Sequence, residues 1–232
     1  MDRQTLNEEA NRLGNEDGGK KTRKKKEKEK KSVGQEILSW VLTIVVAVVI
    51  ALVIRSFVFE PVRVDGHSMD DTLADGEIMF VNKLEYSSTW VCLPWADSAT
   101  QEASPKITLG AGPKRFDVVI CRYPGRGGTN FVKRVVGLPG DTVELRNGYL
   151  YITEAGSDEA VMYEESYLND EYRTGSSNNF GPFEVPEGKY FVMGDHRNNS
   201  NDSRYVGALD RDMIIGHVLQ VLFPFNHWRG VQ

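Results

Sequence analysis

Cysteine and histidine are scarce in this sequence, which narrows the kinds of functional site it can hold. Its 232 residues include two cysteines, Cys92 and Cys121, and four histidines. Nothing in the sequence shows that the two cysteines lie close together, so one disulfide and two free thiols remain equally open. The histidines occur in unrelated contexts without the spacing of zinc ligands, so we predict no such metal site.

Excess positive charge is absent from most of the chain. Residues 61–232 contain 16 Lys/Arg against 24 Asp/Glu, a net charge of −8. An acidic body of this kind argues against nucleic acid as the main partner. The positive charge is concentrated in residues 20–31, with nine Lys/Arg against two Glu. Taken alone, such a tract also fits a nuclear signal or an RNA-binding arm.

Charge is missing altogether from residues 37–54. A helix of this length covers about 27 Å, most of a hydrocarbon core. The buried helix of a soluble protein would show a polar stripe, which this segment lacks. A cleaved secretory signal would have a shorter apolar run and a small-x-small site after it, and residues 55–61 contain no such pair. We therefore predict an uncleaved transmembrane signal-anchor over residues 37–54.

The basic tract before this segment predicts its orientation. By the positive-inside rule, residues 1–36 form a cytoplasmic tail and residues 60–232 form an extracytoplasmic domain. The polar composition of the tail predicts that it is largely disordered, and its lysines near the membrane are expected to contact anionic lipid. An extracytoplasmic location would permit a disulfide.

Long amphipathic helices are absent from residues 60–232. Short apolar runs alternate with turn signals, and Asn147-Gly148 between two such runs is the strongest hairpin signal. We predict a mostly β body. Residues 86–115, rich in small residues and containing Trp90 and Trp95, are interpreted as a loop or small insertion. The acidic, Asn/Ser/Gly-rich residues 154–182 are interpreted as a loop or lid.

One lysine, Lys133, lies inside an apolar strand-forming run that ends at a Gly-Leu-Pro-Gly turn. Burial among such neighbours lowers the pKa of a lysine, by up to about 3–5 units, and a neutral amine is a usable base. The alternative is a strand lysine whose amine reaches water. Ser68 follows Gly66-His67, where a turn can present its hydroxyl, but serine needs a base to become a nucleophile. His67 is adjacent and would point the opposite way.

Several motifs together are more specific than either residue alone. They are GHSMDDTL at 66–73, FDVVICRYP at 116–124, KRVVGLPGD at 133–141 and GDHRNNSNDSR at 194–204. With the N-terminal anchor, these motifs resemble the boxes of the type I signal peptidases, which are membrane-anchored serine proteases with a Ser/Lys dyad. Residues 33–223 follow the order of that family. The resemblance implies an antiparallel-sheet body of the signal-peptidase type after a single N-terminal transmembrane helix.

The resemblance also implies roles for particular residues. Ser68 corresponds to the nucleophile and Lys133 to the general base, while Ser200 corresponds to the hydroxyl that orients the lysine amine. Asp202 and Arg204 correspond to a supporting ion pair. Asp195 and Arg197 are expected as further supports, and neighbouring Arg134 is expected to face away from Lys133.

Four positions depart from the family pattern. Asp71 replaces a proline, His196 an asparagine and Phe116 a glycine. Gly66 stands where some members have a Ser or Thr that donates to the oxyanion, so the Ser68 N–H is expected to be the main donor. The alternation of Asn198, Ser200 and Asp202 suggests a calcium loop, but the Gly and Glu that such a loop needs are missing.

The resemblance implies an endopeptidase that removes signal peptides from exported preproteins after small residues at the third and first positions before the bond. An extended substrate is expected to pair with the backbone near 62–65 and 130–132. We expect no metal or cofactor, and signal peptides and the lipid bilayer as partners, with the secretion translocon as a further candidate. A non-catalytic, membrane-tethered binding protein is the alternative. The anchor argues against a self-cleaving repressor, and the cysteines lack the context of a transpeptidase.

Overall fold

The structure is a computed structural model that describes residues 33–231 apart from 71, 87, 91–96, 98–99, 101–103, 105, 109–110, 127–128 and 174–178. The interpretations of the basic tail, of Asp71, of Cys92 and of Trp95 therefore lie outside the described residues. The predicted mostly β body and single N-terminal apolar helix are confirmed.

The N-terminal helix, α1, runs from Val33 to Phe57. Within Val33–Arg55, the most apolar stretch of 18 residues has a mean hydropathy of 3.1, and none of that stretch is buried. The polar Thr43 is satisfied inside the helix, because its hydroxyl donates to the Ser39 carbonyl at 2.8 Å. A helix that is apolar on all sides needs an apolar environment, and this one is long enough to cross a bilayer.

The body is built from short strands. In chain order, the elements after α1 are β1 (Phe59–Arg63), β2 (Ile78–Asn82), β3 (Ser88–Trp90), β4 (Lys106–Thr108), β5 (Val118–Arg122), β6 (Asn130–Gly137), β7 (Thr142–Arg146), β8 (Tyr149–Thr153), β9 (Ala160–Tyr163), α2 (Asp170–Arg173), β10 (Phe180–Glu184), β11 (Lys189–Met193), α3 (Ser203–Val206), β12 (Leu209–Asp210), β13 (Ile214–Phe223) and β14 (Arg229–Gly230).

A large antiparallel sheet holds most of these strands in the order β1-β2-β13-β5-β6-β11-β12, with β14 also paired to β13. At its end, β1 has β2 on one side and no strand on the other within the described ranges. Pro61 in β1 lies opposite Phe80, and proline is tolerated at such an edge because it lacks an N–H. The first part of β6 pairs with β5, whereas β11 contacts only Arg134 to Gly137.

The strands at the centre of this sheet are buried on both faces. Val118 and Ile120 belong to one apolar cluster, while Val119 and Cys121 belong to another. All five residues of β5 are buried, so the strand is an apolar run without alternation. Lys133 lies in β6 directly opposite Val119.

A second antiparallel sheet has the order β10-β7-β8-β9 and covers a third apolar cluster. The predicted hairpin is confirmed, since Asn147 and Gly148 join β7 to β8 with φ angles of 53° and 84°. The segment interpreted as a loop or lid contains β9, α2 and the start of β10, and residues 86–115 include the β3–β4 hairpin.

Phe116 lies just before β5 and accounts for the start of that strand at Val118. Its φ of 72° is a left-handed conformation that glycine adopts without strain and phenylalanine does not. The backbone is held there because the Phe116 N–H donates to Val135 O at 2.7 Å and its carbonyl accepts from Arg134 at 2.9 Å. The ring packs near Tyr163 and Tyr167.

Candidate active site

The structure brings Ser68 and Lys133 together although they are 65 residues apart. The Lys133 amine lies 2.6 Å from Ser68 Oγ and 2.8 Å from the Val132 carbonyl. Lys133 is only 2% exposed, so its side chain is buried and does not extend into solvent. The alternative of a solvated strand lysine is therefore wrong.

Burial has a direct effect on the chemistry of this amine. Desolvation disfavours the ammonium form and lowers the pKa of Lys133 below its ordinary value. The carboxylates of Asp202 and Asp195 act in the opposite direction, and the Arg204 guanidinium lowers the pKa further. Of the two cysteines, only Cys121 lies in the described part of the chain, and it is a free, buried thiol. Burial raises the pKa of this thiol to about 12, so it carries no charge near neutral pH.

The loop that carries Ser68 is anchored on both sides of the serine. Met69 and Leu73 are buried in the apolar cluster beneath it, and the Leu73 N–H donates to Met69 O at 2.8 Å. Ahead of the serine, Gly66 has a φ of 105°, and its N–H donates to Asp75 Oδ1 at 2.9 Å. These contacts set the position of the hydroxyl relative to β6.

The backbone of the 194–196 segment lies directly behind Ser68. The His196 N–H donates to the Ser68 carbonyl at 3.1 Å. A Cβ at position 194 would collide with that carbonyl and with Ser200 Oγ. Glycine is therefore required at 194 by the close approach of the two backbones.

The expected hydrogen bond from Ser200 to Lys133 is not present. Within the described ranges, the amine of Lys133 contacts Ser68 Oγ and the Val132 carbonyl. Ser200 Oγ is buried there without a hydrogen-bond partner, and it lies close to Gly194. Ser200 therefore lies near the site, as its position in the motif predicts, but it does not make the predicted contact with the Lys133 amine.

Asp202 and Arg204 form the predicted ion pair. Arg204 Nε lies 2.8 Å from Asp202 Oδ1, and Arg204 Nη2 lies 2.8 Å from Oδ2. Asp202 also accepts the Gly194 N–H at 3.0 Å and caps the start of α3. Burial would raise the pKa of the Asp202 carboxyl, but the hydrogen bonds and charge of Arg204 outweigh burial and lower it. The pair therefore holds the 194–204 loop together.

Asp195 pairs with Arg134, a contact that the sequence analysis missed. Both side chains are 1% exposed, and Arg134 Nη2 lies 2.8 Å from Asp195 Oδ2. Asp195 also accepts from Thr72 Oγ1 at 2.5 Å, which ties it to the loop of Ser68. The Tyr167 ring lies over the Arg134 guanidinium at 3.7 Å. No motif signals this pair, although an arginine inside an apolar strand implies a buried carboxylate.

Arg197 contacts Glu165, a second carboxylate that the sequence analysis did not single out. Arg197 Nη1 lies 3.1 Å from Glu165 Oε2, and Nη2 contacts Oε1. Burial would lower the pKa of Arg197, but the neighbouring Glu165 charge outweighs burial and raises it. Glu165 occurs in the acidic stretch that was interpreted as a loop or lid. It also accepts hydrogen bonds from the Tyr167 hydroxyl, at Oε1, and from Arg173, at its backbone carbonyl.

A groove of about 460 Å³ opens onto the serine and the lysine. One side is formed by residues 62–66, and the other by residues 129–133. These include both backbone segments expected to pair with an extended substrate. Within the described residues, no group of three or more His, Cys, Asp or Glu side chains is placed to hold a metal ion.

Comparison with known proteins identifies the family of this chain. A family model described as "Signal peptidase, peptidase S26" matches residues 37–223. The chain therefore belongs to the peptidase S26 family of signal peptidases, and it is a peptidase by class. The resemblance indicated by the motifs is confirmed.

Several relatives carry the name signal peptidase I. The chain is 38% identical over 178 residues to "Signal peptidase I" of Bacillus licheniformis, which covers 76% of this chain and 83% of that protein. It is 37% identical over 177 residues to "Signal peptidase I T" of Bacillus subtilis (strain 168), covering 76% and 80%. A solved signal peptidase I from Enterococcus faecalis V583 is 37% identical and covers 47% of this chain and 97% of that one, with a TM-score of 0.38.

Removing the buried amine should stabilise the protein. Because burial lowers the folded-state pKa of Lys133, the unfolded chain binds more protons between the folded and unfolded pKa values, so stability rises with pH across that interval. Lys133→Met should therefore unfold at a higher urea concentration than the wild type at about pH 7, and the difference should shrink towards about pH 10. Urea denaturation of the full chain in detergent measures this difference.

Lys189→Met is the matched control, since Lys189 is a strand lysine with a side chain 35% exposed and paired with Asp210. It should show no comparable gain. A Lys133→Met protein that is less stable than wild type at every pH would contradict the argument.

Proposed function

We propose that this chain is a signal peptidase I, an endopeptidase that removes signal peptides from exported preproteins, with Ser68 as nucleophile and Lys133 as general base. The observation that carries the proposal is the 2.6 Å contact between Ser68 Oγ and the amine of Lys133, a residue that is 2% exposed. Desolvation keeps the amine neutral at a lower pH than an ordinary lysine, so it can accept the serine proton.

The geometry supports a two-step acyl transfer. Lys133 takes the proton of Ser68 as Oγ attacks the carbonyl of the scissile bond, and the tetrahedral oxyanion is stabilised by the Ser68 N–H. Lys133 then donates the proton to the departing amine, so that the peptide bond breaks and an ester to Ser68 remains. A water molecule, deprotonated by Lys133, attacks this ester and regenerates the free serine.

The groove supports recognition of an extended peptide. The unpaired side of β1 and the first residues of β6 both present backbone groups along it. A substrate strand can pair with residues 62–65 and 130–132 while its alternate side chains point into shallow apolar sites. Val62, Val64 and Val132 line these sites, which favours small residues at the first and third positions before the bond.

The remaining supporting residues act indirectly, by holding Ser68 and Lys133 in position. Asp202 with Arg204 and Asp195 with Arg134 brace the segments on either side of Ser68. Ser200 is buried at the same corner, and we propose it as a packing residue of the loop rather than a partner of the amine.

The domain organisation follows from α1. The helix and the signal peptidase relatives indicate a membrane-anchored enzyme. We propose that residues 1–36 are cytoplasmic, that 37–54 span the bilayer and that 60–232 form the extracytoplasmic catalytic domain, since the basic tract precedes the helix. The lipid bilayer is then a direct partner of α1, and the secretion translocon stays a prediction.

The dyad is tested by single and double substitutions. Ser68→Ala and Lys133→Ala should each lower kcat/KM for a preprotein by about 10³-fold or more, and the double variant should be no worse than either, because the two groups act as one unit. Cleavage is measured with the full chain in detergent. Ser157→Ala and Lys189→Ala are matched controls, and a preprotein with phenylalanine directly before the bond should resist cleavage.

Substantial turnover by Lys133→Ala would reject Lys133 as the base. Binding of the preprotein without cleavage by the wild type would instead favour the tethered binding protein.

The pH dependence of cleavage should report the buried amine. Only neutral Lys133 can take the serine proton, so kcat/KM should rise with pH through the pKa of Lys133 in the free enzyme. Because burial lowers this pKa, the rising limb should lie well below the value of about 10.4 for an ordinary lysine. A limb at the ordinary value, measured with the full chain on a preprotein, would contradict the assignment.

The orientation is tested with epitope tags at the two termini. External protease added to wall-free expressing cells should remove a C-terminal tag and leave an N-terminal tag intact until the membrane is permeabilised. The reverse pattern would overturn the proposed topology.

A further inference from the structure

We propose that His196 is a positioning residue for catalysis, because its ring turns the peptide between His67 and Ser68 so that the Ser68 N–H faces the groove. The inference rests on the proposed function, in which this N–H stabilises the oxyanion. It concerns a position where the family motif has asparagine, so the arrangement belongs to this chain.

The ring of His196 is held by contacts on three sides. Its Nδ1 lies 3.0 Å from the His67 carbonyl oxygen and 3.2 Å from Asp70 Oδ2. Both of these atoms are acceptors, so Nδ1 carries the hydrogen. The ring stacks on Tyr172 at a centroid distance of 3.8 Å and an angle of 24°, and its side chain is only 16% exposed. These contacts define one tautomer and one orientation.

The geometry of the peptide bond links the position of the His196 ring to the direction of the Ser68 N–H. The cis peptide bonds of the described residues are Gly181-Pro182 and Phe223-Pro224, so the bond between His67 and Ser68 is trans. In a trans peptide the C=O and N–H point in opposite directions. Because the His67 carbonyl points to His196, the Ser68 N–H points away from that ring. Ser68 lines the groove together with Gly66 and Lys133, and the proposal assigns the N–H to this side.

The Ser68 N–H is available for this role. Within the described part of the chain it donates no hydrogen bond, whereas the carbonyls of His67 and Ser68 are both engaged. The His196 backbone N–H holds the Ser68 carbonyl at 3.1 Å, and the His196 ring holds the His67 carbonyl. A weaker contact from the Asp70 N–H to the His67 carbonyl, at 3.4 Å, does not involve the ring. Replacing the side chain therefore removes the closer constraint on this peptide.

The identity of residue 66 makes this constraint important. Gly66 has no side chain that could donate to the oxyanion, so the Ser68 N–H has no partner donor from that position. Loss of one oxyanion donor elsewhere reduces kcat by about 10²–10³-fold. If the donor is present but points in the wrong direction, part of its contribution to kcat is lost. Since the oxyanion forms only after attack, the loss should appear in kcat and leave KM nearly unchanged.

Two substitutions separate the hydrogen bond from ring packing. His196→Phe keeps an aromatic ring to stack on Tyr172 but removes the donor, so kcat should fall about tenfold or more while KM stays within about twofold. His196→Asn removes the ring but supplies an amide N–H that can donate to the His67 carbonyl, so kcat should stay within about threefold of wild type. His217→Asn, at a histidine paired with Glu85 outside the groove, is the matched control.

A second readout links the effect to the oxyanion. The affinity for a peptide boronic acid with small residues at its first and third positions, which forms a tetrahedral adduct with serine, should fall with kcat across the variants. Binding of an uncleaved peptide of the same sequence should not change. If His196→Phe does not fold, His196→Leu provides the test, because it also removes the donor and should lower kcat in the same direction with KM unchanged.

The outcomes distinguish this inference from the proposed function. Normal cleavage by Ser68→Ala would reject the proposed function itself. An inactive Ser68→Ala protein together with wild-type kcat in His196→Phe, or in His196→Leu if the phenylalanine variant does not fold, would overturn the role of His196 alone. Impaired His196→Asn beside active His196→Phe would also overturn it, since ring packing rather than donation would then matter.

Discussion

The structure depends on keeping one lysine amine away from water. Lys133 lies in the interior of the large sheet, where apolar side chains from two clusters surround β5 and β6. An ammonium in such a place is disfavoured, so burial lowers the pKa of Lys133 below the ordinary value for a lysine. The same burial makes Lys133 a source of instability, because a buried amine is less favourable than an apolar side chain would be at the same position. In the proposed mechanism, the function of Lys133 is therefore maintained against stability.

Charged groups of both signs surround the amine of Lys133. Asp195 and Asp202 are buried carboxylates whose charge favours the ammonium form of Lys133. Each is paired with an arginine, Arg134 or Arg204, through short hydrogen bonds. The pairing satisfies the carboxylates and reduces their net field at the amine. The arginines therefore support the fold of the loops and also limit how far the nearby acids can favour protonation of Lys133.

The sequence predicted the local features well and the contacts between distant segments poorly. The apolar run around Lys133, the Asn147-Gly148 turn and the uncharged N-terminal helix depend on neighbouring residues and could be recognised from their pattern. By contrast, the burial of Glu165 depends on Arg197, about thirty residues away, and Arg134 depends on Asp195. The role of Ser200 was predicted from its motif. A motif indicates which residues lie near one another, but it does not indicate which hydrogen bonds they form. Phe116 shows that a departure from the motif can coincide with a strained backbone.

The proline in the edge strand β1 limits how much of a bound peptide the groove can contact through backbone hydrogen bonds. A peptide that lies along β1 needs a donor from every second residue to continue the ladder, and Pro61 has none. The ladder is thus confined to the few residues between Pro61 and the serine loop. Discrimination among precursors must then come from a handful of side chains next to the bond. Precursors that differ everywhere else can share one processing enzyme.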